Sequence, residues 1–130
     1  MNKNSVGMAL MVLGVAAFMV ATVAFVRAVF IQQGFILSLA GAGLAGALLL
    51  SVGGALRGHR AFLVGLGAAF AGVGLLSAAV GVYIAWWMHT HAPVGRRSLE
   101  SGLAIGHLCA GLAFVLGGWY AFRRARGADR

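Results

Sequence analysis

Apolar positions in this chain run in long unbroken blocks, without the alternation that marks a half-buried helix or strand. Four blocks, residues 5–26, 34–56, 61–88 and 101–122, contain no Asp, Glu, Lys or Arg. An α-helix rises 1.5 Å per residue, so about 20 apolar residues cross a hydrocarbon layer of about 30 Å. Each block meets that length. The pattern therefore predicts an all-α, polytopic membrane protein: a single domain over residues 1–130, with four transmembrane helices in an antiparallel bundle joined by short connections. The third block is about 42 Å long as a helix, so it is expected to tilt or to emerge from the bilayer. The first block is longer than the roughly 7–15 apolar residues of a cleaved leader and is expected to be retained.

Composition agrees with the block pattern. Of the 130 residues, 62% are hydrophobic and 9% charged, whereas a soluble domain carries about 25% charged residues. The formal net charge of +8 would suit nucleic acid if a soluble face displayed it, but the basic residues lie between or beyond the apolar blocks. Such placement orients membrane helices and contacts anionic lipid. With both termini cytoplasmic, the inner side would carry Lys3, Arg57, Arg60, Arg123, Arg124, Arg126 and Arg130, and the outer side Arg27, Arg96 and Arg97. This bias predicts an inner-membrane protein with cytoplasmic N- and C-termini. The lipid bilayer and other membrane subunits are its expected partners, and nucleic acid is not.

Glycine, 21 residues in all, is spread through the blocks instead of gathering in linkers. Small residues let membrane helices approach closely. Two stripes at four-residue spacing, Ser38–Ala42–Gly46 and Gly102–Gly106–Ala110, are the predicted helix-packing faces, and Gly54 and Gly58 repeat the spacing. A homodimer seam is the alternative use of such stripes. A faint echo between residues 43–60 and 111–126 suggests a duplicated hairpin, although an alphabet this rich in Gly, Ala, Leu and Val produces such matches readily.

Candidate chemistry is sparse. Cys109 is the only cysteine, which rules out a disulfide within the chain. The spans offer Thr22, Ser38, Ser51, Ser77, Tyr83, His107 and Cys109. Ser51 and Ser77 are expected to bond back to carbonyls of their own helices. Glu100 lies beside Arg96 and Arg97, and His59 falls in the "RGHR" connection as a solvated loop residue. Trp86, Trp87, Trp119 and Tyr120 are predicted interfacial anchors.

His107 is the one ionisable group that membrane logic marks. Counted from Ser101 it stands near the outer interface. If residues after Met88 are extended, His89 and His91 project to one side, and with His107 they would form a candidate copper or haem site. Interfacial anchoring of the same residues is the competing reading, in which no cofactor is expected. Size and span count are similar to those of small multidrug exporters and fluoride channels. The first-span glutamate of the exporters is missing, however, and so is the polar track of the channels. The expectation is a non-catalytic accessory, assembly or stabilising subunit of a larger inner-membrane complex. The alternatives are a small homo-oligomeric channel or transporter, or a copper- or haem-binding membrane component.

Overall fold

Runs of Ala, Leu, Gly and Val uninterrupted by proline propagate four α-helices: α1 (Lys3–Ile31), α2 (Ile36–Arg57), α3 (His59–His91) and α4 (Arg97–Gly127). The structure, a computed structural model, describes the backbone of residues 2–31, 36–91 and 97–127, and the side chains of residues 2–30, 39–91 and 101–127. All four helices are long and apolar enough to cross a membrane. They outrun the apolar blocks at several ends, since hydropathy reports only the lipid-compatible part of a helix. α3 continues through His91, so His89 and His91 are helical and not extended. Only Gly58 separates α2 from α3; its φ of 112° is on the left-handed side that glycine tolerates. Its N–H donates to Ala55 O at 3.3 Å, and its carbonyl accepts from Phe62 N at 2.9 Å. His59 is consequently the first residue of α3 instead of a loop residue.

Apart from Leu50 and Met88, every buried residue among those described is glycine or alanine. Most of them recur at seven-residue intervals. α3 buries Gly67, Gly74, Gly81 and Met88, and α4 buries Ala104, Gly111, Gly118 and Ala125. In α1 the series is Gly7, Gly14 and Ala21, facing Gly46 and Gly53 of α2. A seven-residue period keeps one seam turned toward a partner helix. The pairs match in reverse order: Gly7 meets Gly53 and Gly14 meets Gly46, while Gly67 meets Gly118, Gly74 meets Gly111 and Gly81 meets Ala104. Chain-adjacent helices therefore run in opposite directions.

These glycines are required by close approach. A Cβ on Gly74 would lie 2.7 Å from Gly111 O, and one on Gly111 would lie 2.7 Å from Gly74 O. The predicted four-residue stripes fare differently. Gly46 packs on Gly14 and Phe18, Ala42 is half-buried, and the Ser38 side chain lies outside the described residues. Gly102 and Gly106 are exposed, with nothing within 4 Å of an added Cβ, and Ala110 is only half-buried. Among the described residues the α4 stripe is thus not a packing face. Gly54 packs on Ala61 and Phe62, and Gly58 serves the turn.

The helices form an open series. α1 packs on α2, α2 on α3 and α3 on α4, with a marginal contact of α1 with α3. Phe18 supplies part of that contact: its ring lies against both Gly46 and Gly72. Among the described residues α4 touches α3 alone, so α2 and α4 flank α3 without meeting.

Candidate functional site

The space left between α2 and α4 is a groove of about 490 Å³ with α3 as its floor. Leu39, Ala40, Gly43 and Leu44 line one wall; Val73, Leu76, Val80 and Ile84 lie beneath, with Ser77 and His107 as the two polar members. Ser77 of α3 donates its hydroxyl hydrogen to His107 O of α4 at 3.0 Å. The same Oγ lies 3.3 Å from His107 Nδ1. A serine hydroxyl has one hydrogen, so both contacts are hydrogen bonds only if Nδ1 carries the ring proton and donates to Oγ. That tautomer leaves Nε2 as a lone-pair acceptor, and it has no partner among the described residues. The groove thus holds one imidazole nitrogen without a hydrogen-bond partner among the described residues.

Sequence reasoning expected Ser77 and Ser51 to behave alike. Ser51 does donate to its own helix at Ala47 O (2.8 Å), as Thr22 does to Phe18 O (2.9 Å). Ser77 instead crosses to α4, because the Gly74–Gly111 contact brings the helices close enough for a short side chain to reach the facing carbonyl.

The register of α3 against α4 also fixes where His107 lies along the helix axis relative to the aromatic residues. Gly118 against Gly67 puts Trp119 level with Leu66 of α3, about 30 Å from Trp86 along the axis. The exposed aromatic pairs Trp86/Trp87 and Trp119/Tyr120 thus stand at two levels separated by one hydrocarbon thickness. Ser77 and His107 fall within about 3 Å of the midpoint between those levels.

No known protein family, curated protein or solved structure matches the chain.

The three candidate metal ligands do not come together. His107 is level with Ala78, about 16 Å along the axis from His89, whereas ligands of one ion lie within about 2.1 Å of it. His89 is exposed and borders a hollow with Ala85, Met88 and Ser101. His91 stacks on Trp87, with centroids 5.8 Å apart and planes at 17°, and its Nδ1 is 2.6 Å from Thr90 Oγ1. Among the described residues no group of three His, Cys, Asp or Glu side chains is placed to hold a metal. The helix persists through His91, so the extended geometry that would align the imidazoles of His89 and His91 is not formed. Arg96 and the side chains of Arg97 and Glu100 lie outside the described residues. Cys109 is exposed, on a different face of α4 from half-buried His107.

An aromatic chain that sequence reasoning did not assemble runs across the Trp86 end. Phe25 of α1 meets Tyr83 edge-on at 6.3 Å, and Tyr83 stacks near Trp86 at 6.1 Å. The three-residue step from Tyr83 to Trp86 was its only sequence signal.

Proposed function

We propose that the chain is a non-catalytic integral membrane subunit that acts by association, as an accessory, assembly or stabilising component of a larger inner-membrane complex. The observation that carries this reading is the groove between α2 and α4, with Nε2 of His107 at its α4 side, unpartnered among the described residues. A polar atom in hydrocarbon that lacks a hydrogen bond costs free energy. A partner helix that carries an O–H or N–H donor at this depth would satisfy it and would cover Leu39, Leu44 and Leu76.

Other readings have less support. The seams are packed with glycine and alanine, and the Ser51, Thr22 and Ser77 hydroxyls are bonded within the chain. Among the described residues that leaves no continuous polar face for a channel lumen. The aromatic levels suit the two edges of one bilayer. Lys3, Arg57, Arg60, Arg123, Arg124 and Arg126 all belong to the helix ends gathered at one side, and the backbones of Arg27 and Arg97 to the other. Under the positive-inside rule this favours cytoplasmic termini.

Purification from native membranes in mild detergent tests the reading. Other membrane subunits are expected to migrate with the chain through size exclusion in fixed proportion. A clean monomer or homo-oligomer would overturn it.

A further inference from the structure

A second concave site lies at the basic end, between the start of α3 and the end of α4. It measures about 490 Å³ and is lined by His59, Leu63, Tyr120, Arg123, Arg124 and Gly127. Among the described residues the lining contains no carboxylate, and neither Arg123 nor Arg124 has an acidic partner. Both guanidinium groups are nonetheless held in place. Arg123 lies 5.4 Å from the Trp119 ring centroid and Arg124 5.8 Å from that of Tyr120, each resting on an aromatic face four residues earlier. Two restrained forks, an imidazole and a phenol thus converge on one hollow. Their five-donor planar heads match the oxygens of a phosphate.

Depth selects the source of that phosphate. Arg123 is about 6 Å beyond the Trp119 level along α4. Headgroup layers extend roughly 5–7 Å beyond a 30 Å hydrocarbon core, so the backbone of Arg123 and Arg124 reaches the level of lipid phosphates, with the guanidinium groups resting on the rings just below it. Leu63 and the rings of Trp119 and Tyr120 extend the surface toward the acyl region.

We infer that this hollow binds the phosphate of an anionic phospholipid headgroup. Basic pockets between membrane helices are suited to such headgroups. The inference rests on the membrane placement proposed above and not on any partner subunit.

The test uses purified full-length chain in dodecyl maltoside. Native mass spectrometry measures retention of added dioleoylphosphatidylglycerol against dioleoylphosphatidylcholine. R123Q/R124Q is compared with K3Q/R57Q, which removes two positive charges from the same end but none from the hollow. The wild type is expected to retain the anionic lipid selectively, R123Q/R124Q to bind it about tenfold or more weakly, and K3Q/R57Q to stay within about twofold of wild type. Millimolar inorganic phosphate should leave the bound lipid in place. Displacement by it would overturn the lipid assignment in favour of soluble phosphate. Equal losses in the two double variants, or none in either, would overturn the site. Should R123Q/R124Q elute as aggregate, R123K/R124K is read instead: it keeps the charge and loses the fork, and its retention should fall between wild type and no binding, with wild-type retention overturning the site. A chain that stays soluble without detergent would refute the membrane placement separately.

Discussion

At the residue scale, glycine is instructive because its cost is known: in a helix interior it disfavours folding by about 0.5–1 kcal/mol relative to alanine. At Gly111 sterics explain it. A Cβ there would stand 2.7 Å from Gly74 O and 2.8 Å from Ala78 N, both backbone atoms that cannot swing aside. At Gly106 an added Cβ meets nothing within 4 Å. Gly111→Ala is therefore expected to destabilise the protein by about 1–3 kcal/mol through overpacking, while Gly106→Ala leaves stability unchanged or raises it by up to about 1 kcal/mol. Heating detergent-solubilised protein and following the surviving size-exclusion peak measures both. Equal losses at the two positions would contradict the seam. Ser51 and Ser77 make the same point about context, since one residue type bonds within its helix at one site and across a helix pair at the other.

At the element scale, the four helices were legible because a block of about 20 residues without charge has few other stable solutions. Their packing was not, for a reason visible in α4. Gly102, Gly106 and Ala110 form as regular a stripe as Ala104, Gly111, Gly118 and Ala125, and in a glycine-rich alphabet both periods occur. Only the second series is buried, because seven residues return to the same face of a helix wound on its neighbour, whereas a four-residue step drifts around it. The Ser77–His107 bridge was hidden by the same ambiguity, since it requires the register that Gly74 and Gly111 set. The resulting order predicts cross-links. In a Cys109→Ala background, N4C/L56C should join efficiently with a short bismaleimide, because the start of α1 lies beside the end of α2. N4C/R124C should not, although both positions are at the same end, because α1 and α4 do not touch. Comparable yields on a denaturing gel would mean that the series closes into a ring.

At the scale of the whole molecule, the open series leaves the apolar groove between α2 and α4 uncovered among the described residues, and Gly43 offers a way to fill it from within. Gly43 lines the groove, and its added Cβ would meet only Leu76 Cδ1, at 3.6 Å, an ordinary van der Waals contact. Its neighbour Gly46 faces the other way, where a Cβ would strike the Phe18 ring at 2.9 Å and Gly14 O at 3.0 Å. Gly43→Leu should therefore occupy the groove and shield His107 while the α1–α2 and α3–α4 seams stay intact. If the groove seats a partner helix, this variant elutes and resists heating like wild type, yet recovers partner subunits at about one fifth of the wild-type level or less. That loss corresponds to roughly 1 kcal/mol of association free energy, a modest demand for a blocked contact. Gly46→Leu should instead lose stability first and partners only as a consequence. Full partner recovery by a folded Gly43→Leu chain would show that association, where it occurs, uses another face.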